Sequence, residues 1–320
     1  MKLITVTTNE AGQRFDKLLA KYLNEAPKSF IYKMLRKKNI TLNGKKASGS
    51  ELLAAGDEVR LFLADETLDK FHTSSYQRAK TDLDIVYEDE HIILINKPAG
   101  MLSQKAKPGD VSLVEYLITY LVESGAVTKE QLASFHPAVC NRLDRNTSGL
   151  VIAGKSLAGL QEMSRLLQDR TMHKYYRCIV SGTMHGTCHL KGYLCKDHAR
   201  NQVTVSKAPS HDAQPIETEY TVIGHGKDVT LMEVLLITGR SHQIRAHLAS
   251  IGHPIIGDTK YGNSKWNEAY RQSCGVKHQL LHAYRLEMPE LSGALSCLSG
   301  KAFYAPVPAV FDKVMQITCK

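Results

Sequence analysis

A change of hydrophobic rhythm across a polar gap constrains this chain most. Before residue 64, Phe15, Leu18, Leu19, Tyr22 and Leu23 form one stripe and Ile31, Met34 and Leu35 a second. This is the i, i+3, i+4 spacing that a helical turn lays on one face. Residues 64–82 are polar, mixed in charge and without apolar period, so they read as a linker. From residue 83 short strand-like runs take over, including Asp84-Ile-Val-Tyr, His91-Ile-Ile-Leu-Ile-Asn and Leu231 to Thr238, separated by Gly, Asn and Pro. Two unequal domains are expected, 1–63 and 83–320, since a single core rarely grows past about 250–300 residues.

The smaller region has a definite order. Residues 3–7 alternate as a short strand, Pro27 ends the first helical stripe, and Ser29 reads as the N-cap of the second. That second helix turns Lys33, Arg36, Lys37 and Lys38 outward. Ile40-Thr-Leu, the turn Asn43-Gly44 and the run Val59 to Leu63 complete a strand pair. The chain has a net charge of +9, and residues 1–63 hold twelve Lys or Arg against six Asp or Glu. Such a field attracts a polyanion first and an acidic membrane surface second. A lysine-rich helix face on its own is more often simply solvated.

Several classes are disfavoured. Hydrophobic residues at 43% and charged residues at 23% are ordinary globular usage. No apolar run approaches the roughly 20 residues of a membrane span. Met1-Lys-Leu-Ile-Thr-Val6 leads into alternation and not into a signal-peptide core, so a cytoplasmic protein without membrane association is expected. Seven cysteines form no C-x-x-C pair and read as reduced thiols. His185, Cys188, His189, Cys195 and His198 fall close together, but their spacing matches no finger or deaminase pattern. Gly186, Gly192 and Asn201 suggest a hairpin that scatters them, so no metal is expected. Glycine-rich phosphate loops of the Rossmann or Walker kind are missing from the sequence, which leaves ATP or NAD chemistry without support, and no cofactor is expected.

Two stretches have the makings of a site. In Asn141 to Ala153 one carboxylate, Asp144, lies between Arg142 and Arg145 and is followed by Thr-Ser-Gly and an apolar strand. Neighbouring cations keep such an acid ionised. Alone, this loop is more often a structural ion-pair cluster. In Val229 to Arg245 a strand breaks at Gly239, Ser241 reads as a helix cap, and Ile244, Leu248 and Ile251 continue at helical spacing. Arg240, His242 and Arg245 gather at that helix start, where they can engage phosphates or hold a carboxylate from another loop. Gly252 through Asp258 to Gly262 reads as a tight, glycine-held loop.

Taken in order, Tyr87 to Gly100, Arg142-Leu-Asp144-x-x-Thr147-Ser148-Gly149, Lys174-x-Tyr176, Gly239-Arg240-x-His242-Gln243-Ile244-Arg245 and Leu281-His282-Ala283 resemble the successive motifs of RluA-type pseudouridine synthases across residues 83–310. Arg14, Phe15, Asp16, Ser29-x-x-Tyr32, Arg36-Lys37 and Ala55-Gly56-Asp57 resemble the S-four type of RNA-binding module over about 12–63. Together they resemble the branch of the family acting on large-subunit ribosomal RNA. The resemblance implies an α+β protein, with a mixed, mainly antiparallel sheet in the catalytic domain and a small S-four-like module in front. It places the catalytic aspartate at Asp144, the active-site tyrosine at Tyr176 and the carboxylate-pairing arginine at Arg245. Arg142 matches an arginine that enters the RNA helix where the target base leaves. Arg14, Lys33, Arg36, Lys37, Lys38, Arg240 and His242 complete the expected RNA contacts. One departure stands out: Asn141 occupies a position that is often histidine in the family.

The implied reaction isomerises uridine within structured RNA and needs no redox step. Asp144 acts there as nucleophile or base, and the sequence leaves that choice open. Because the target base lies paired or stacked, it must be extracted. A monomer with RNA as partner is expected. Two other readings stay open: a transfer-RNA substrate, and a non-catalytic RNA-binding or ribosome-assembly protein on the same fold.

Overall fold

The computed structural model describes residues 1–72, 77–129, 131–197 and 202–318. The chain forms two compact units: 1–82 with 114–138 and 154–161, and 83–113 with 139–153 and 162–320.

The first unit begins with β1 (Lys2–Thr5), α1 (Phe15–Tyr22), α2 (Lys28–Arg36), β2 (Ile40–Leu42), β3 (Lys45–Lys46), β4 (Glu58–Leu61) and α3 (Asp65–Phe71). Its sheet has the order β1-β4-β2-β3, and neighbouring strands run antiparallel. The stripe read in the sequence is the buried face of α1: Phe15, Leu18 and Leu19 are fully covered and Tyr22 nearly so. Each such side chain contributes about 1.5–3 kcal/mol by leaving water. Helix α2 buries Ile31, Met34 and Leu35 in the same core and leaves Lys33 and Arg36 exposed. Ser29 is not its cap. The helix starts one residue earlier, after an extended Pro27, whose fixed φ sets the entry. Asn43 and Gly44 take positive φ between β2 and β3, as a two-residue hairpin requires.

The segment 64–82 is more ordered than a linker. Leu68 and Phe71 of α3 pack on the core of the first unit, Phe71 against the Phe30 ring. His72 stacks on Tyr22 and bonds its carbonyl at 2.7 Å. Arg78 pairs with Glu123, and the Ala79 amide donates to Thr119 Oγ1. A helix of two turns anchored by two apolar residues is too short for a visible period. The expected boundary at 83 also misses that residues 114–138 and 154–161 join the first unit, through contacts such as Ser134 Oγ to Glu10 and the Leu157 amide to Asn9.

Further elements follow as β5 (Ile85–Glu88), β6 (Ile92–Lys97), α4 (Leu113–Glu123), β7 (Ala138–Val139), β8 (Ser148–Gly154), α5 (Leu157–Asp169), β9 (His173–Ser181), β10 (Thr187–Asp197), β11 (Gln202–Ser206), β12 (Gln214–His225), β13 (Val229–Leu236), α6 (Gln243–Ser250), α7 (Ser264–Cys274), β14 (Leu281–Glu287), β15 (Ala302–Tyr304) and α8 (Val310–Thr318). The second unit is built on a sheet ordered β11-β10-β12-β13-β9-β14-β8-β6-β5, with β15 on β14 and β7 on β8. Pairing is mainly antiparallel, with β8 and β14 parallel, so the sheet is mixed and the class α+β. Among the described residues no helix is long and apolar enough to cross a membrane.

The parallel β8–β14 contact sets up the site. All of β8 is buried. Gly149 has φ 110°, and a Cβ there would lie 2.2 Å from the Ala283 carbonyl oxygen, so only glycine lets the two backbones meet. One residue before, Ser148 Oγ lies 2.8 Å from His282 Nδ1, and His282 Nε2 faces the Ala305 carbonyl at 3.3 Å. The carbonyl can only accept, so Nε2 carries the proton and the serine hydroxyl donates to Nδ1. Burial pushes the imidazole down to about 4, against the opposing effect of the Ala305 bond.

Because the folded value lies below the unfolded one near 6.5, the His282 contribution is fully present above that pH and is lost as pH falls through about 4. Denaturant unfolding of the wild type between pH 7 and 4 is expected to show a loss of about 3 kcal/mol from this group, and His282→Gln should flatten the curve. An equal pH slope in both proteins would exclude His282 as its source.

Candidate active site

Asp144 stands in the loop between β7 and β8, held from several sides. Its carbonyl accepts the Thr147 amide at 3.0 Å. Leu143, one residue before, exchanges two bonds with Ser103 Oγ, at 2.9 and 3.1 Å. Arg145, one residue after, is tied to Gly100 by its side chain and by its carbonyl. Asn141 accepts the Ile152 amide at 2.7 Å, which pins the start of the loop to β8. A shorter side chain at that position would leave the amide without this partner.

Lys97 ties these loops together from beneath. It is fully buried, and its ammonium donates to the carbonyls of Pro98, Met101 and Arg145 at 2.9, 2.9 and 3.2 Å. Burial pushes it down to about 7, opposed by the charge of Asp144. The sequence contains Lys97 within a recognised motif, but its work as the junction of three backbone turns emerges only in the fold.

Arg245 comes from α6. Its Nη1 donates to Asp144 Oδ2 at 2.7 Å, while Nε and Nη2 form a fork on Asp258 at 2.7 and 2.9 Å. Asp258 is fully buried and also accepts the amides of Lys260 and Tyr261. Burial alone would lower the Arg245 pKa, but Asp258 and then Asp144 outweigh it and raise the value. Burial likewise opposes ionisation of Asp258, and the Arg245 bonds overcome it to hold the carboxyl below its usual range. Arg245 is thus permanently charged and fixed by one acid while it presents a donor to another. The sequence reading missed Asp258; the available signal was that an arginine on the buried side of a helix demands a carboxylate.

The turn before α6 differs from its sequence reading. Ser241 does not cap the helix. His242 precedes it with φ 56°, and the buried Gln243 side chain reaches back to accept the Arg240 amide and the Thr238 hydroxyl. Gln243 also donates to the Glu217 carbonyl and Thr218 Oγ1, so one amide group replaces the cap. His242 Nδ1 lies 2.9 Å from Tyr261 Oη, which itself accepts the Val203 amide. Its Nε2 faces Asp144 Oδ1 at 4.0 Å. Burial lowers the His242 pKa against the pull of Asp144.

Asp144, Tyr176, Arg245, Arg142, Arg240 and His242 line one cavity of about 910 Å³ in the second unit. Tyr176 is buried on β9, and burial first, then the Asp144 charge, raises its phenol pKa, so it stays neutral. Arg142 and Arg240 are exposed at the cavity. Arg14, Lys33, Arg36, Lys37 and Lys38 belong to the first unit and are exposed there. Arg14 forks onto Asp16 at 3.1 and 3.0 Å, and Asp16 also accepts the Tyr32 hydroxyl. Such a surface pair adds little to stability and leaves Arg14 free to exchange partners.

The metal-type cluster of the sequence falls on and around β10. Cys188 and His189 are neighbours on β10, so their side chains point to opposite faces, and His189 pairs with Glu217 at 3.1 Å. Among the described residues no group of three His, Cys, Asp or Glu could hold a metal ion. His198 and Asn201 lie outside the described residues.

Residues 91–250 match the family model described as RNA pseudouridylate synthase. A ribosomal large subunit pseudouridine synthase C from Vibrio vulnificus is 32% identical over 88% of this chain and 87% of its own length. Its counterpart from Escherichia coli strain K12 is 31% identical over 90% and 88%. The solved structure of human RNA pseudouridylate synthase domain containing 4 shares the fold, with a TM-score of 0.56 and 21% identity over 72% of this chain and 91% of that one. On the strength of these matches the chain belongs to the RNA pseudouridylate synthase family.

Proposed function

We propose that this protein isomerises uridine to pseudouridine in large-subunit ribosomal RNA, with Asp144 as the catalytic carboxylate. The observation that carries this reading is the split of the Asp144 carboxylate. Oδ2 is taken by Arg245, while Oδ1 has no hydrogen bond among the described residues, and Asp144 lines the cavity. A carboxylate held at one oxygen and bare at the other is prepared to attack carbon or take a proton.

The chemistry is balanced within the substrate. The N1–C1′ bond breaks, the uracil turns, a C5–C1′ bond forms, and the proton on C5 is lost as one is gained at N1. Asp144 serves the bond-breaking stage, as nucleophile or as base at the sugar. Tyr176, a neutral buried phenol, offers a flat face for the freed uracil and a hydroxyl that donates. A detached base must not escape or be trapped by water, and a walled cavity serves both needs. A cavity of about 910 Å³ admits an extruded nucleotide with its neighbours' phosphates, which the exposed Arg142 and Arg240 are placed to meet.

Large-subunit ribosomal RNA is the substrate that the names of the bacterial relatives support. The basic surface of the first unit, read as an S-four-like module, adds non-specific phosphate contacts through Lys33, Arg36, Lys37 and Lys38. A cytoplasmic monomer acting on RNA fits the charge and composition.

Pseudouridine mapping by carbodiimide-dependent reverse-transcription stops, in cells with and without this gene, tests the proposal. Stops lost from large-subunit RNA and restored by wild-type but not Asp144→Asn protein are expected. Loss from transfer RNA alone would replace the substrate, and no loss in any RNA would favour a binding protein on this fold.

A further inference from the structure

Lys174 lies two residues before Tyr176 on β9, so both side chains fall on one face of the sheet, and both line the cavity. The residue is only 9% exposed. Its backbone is paired with Leu286 of β14, but its ammonium has neither a hydrogen bond nor an ion pair among the described residues. Nor is Nζ sealed in the core with an unmet donor, so it opens toward the cavity. A Cβ added to Gly239 would lie 3.6 Å from Nζ, which places the ammonium against the bare backbone of the Gly239–Arg240 turn.

The charge around it has the wrong sign for a structural role. Burial, and then the positive charge of Arg170, lower the pKa of Lys174, and no acid opposes them. Among the described residues Asp144 pairs with Arg245 and faces His242, and Lys174 makes no ion pair with it. Arg170 is itself exposed at the cavity and without a partner among the described residues. It follows the last residue of α5 with φ 58°, in the left-handed region where glycine or asparagine is the ordinary choice. Two unpaired cations, one buried at a cost and one on strained backbone, converge beside an exposed Arg240. Such an arrangement is stabilised by a bound anion.

We propose that Lys174 and Arg170 form a site for one backbone phosphodiester adjacent to the uridine in the cavity, so that Lys174 is a substrate-positioning residue. This rests on the functional reading above, since it takes the anion to be a phosphate of the bound RNA. The contact is made outside the reacting ring, and it fixes the strand on which the extruded nucleotide hangs.

The test compares wild-type protein with Lys174→Met, Lys174→Arg and Arg170→Gly. Binding to an unmodified transcript of large-subunit ribosomal RNA is measured at several salt concentrations, beside pseudouridine formation and thermal unfolding. Methionine keeps most of the volume and removes the charge, and glycine suits the left-handed position. Both should therefore unfold at or above the wild-type temperature. The slope of log affinity against log salt should fall by about 0.7–0.9 for each lost phosphate contact. KM should rise about tenfold or more with kcat changed far less, and Lys174→Arg should restore most of the loss.

Unchanged slope and KM in both charge-removing variants would overturn the phosphate site. So would a fall in activity that only tracks lost stability, because that is the mark of a structural lysine. If the wild type binds the transcript but forms no pseudouridine, the functional reading fails by itself, and the change of salt slope still decides the phosphate site.

Discussion

Asp144→Asn is expected to reduce pseudouridine formation by about 10⁴-fold or more while RNA affinity and unfolding temperature stay near wild type. The variant keeps the shape of the side chain and an oxygen that can accept from Arg245, so the loop should survive. What it loses is the negative charge shared with Oδ1, the oxygen that has no hydrogen bond among the described residues. Asp144 is about a quarter exposed, so its replacement buries no new unpaired group in the core. Single-turnover conversion of tritium-labelled RNA, with binding measured in parallel, checks this. Turnover within tenfold of wild type would remove Asp144 from the catalytic role, whatever the fate of Arg245.

Asp258→Asn should do the opposite to stability. Asp258 is fully buried and holds the Arg245 fork, so removing its charge leaves a buried guanidinium with Asp144 alone to balance it. Losing one partner of a buried pair costs about 3–5 kcal/mol. In a unit of this size that corresponds to a fall of roughly 10 °C in unfolding temperature. Activity should fall as well, because Arg245 loses the anchor that aims its Nη1 at Asp144. Calorimetry of Asp144→Asn and Asp258→Asn side by side is decisive. If Asp258→Asn melts with the wild type, the Asp258 fork contributes nothing to the fold, and Arg245 must be held by other contacts.

The pair shows how a site divides labour between a buried and a half-open carboxylate. One guanidinium meets both, with Nε and Nη2 given to the buried Asp258 and Nη1 given to the partly exposed Asp144. Lys97 does comparable work for the backbone, tying the loop after β6 to the residue that follows Asp144. Neither Asp258 nor Lys97 lines the cavity, yet both hold the neighbours that fix Asp144.

Local physics made much of this protein legible in its sequence. The apolar stripes of α1 and α2, the Asn43-Gly44 hairpin and the buried run of β8 follow from periods and turn chemistry within about ten residues. The order of the motifs then pointed to the family, and through it to Asp144, Tyr176 and Arg245. Features resting on few or distant contacts stayed hidden. Helix α3 has two apolar anchors and no period to read. The start of α6 carries a serine where a cap is expected, but the buried Gln243 takes that task because Glu217 and Thr218 of β12 lie beside it.

The residues themselves therefore determined the helices, the hairpins, the basic surface of the first unit and the candidate site residues. Only the tertiary structure decided their partners. Asp144 and Arg245 are 101 positions apart, and Asp258 and Lys97 join them from a further loop and from the end of β6. Nothing in the local pattern around any of the four encodes the other three. Their meeting depends on β8 lying parallel to β14 at a separation that Gly149 alone permits, which is a property of the sheet and not of any segment within it.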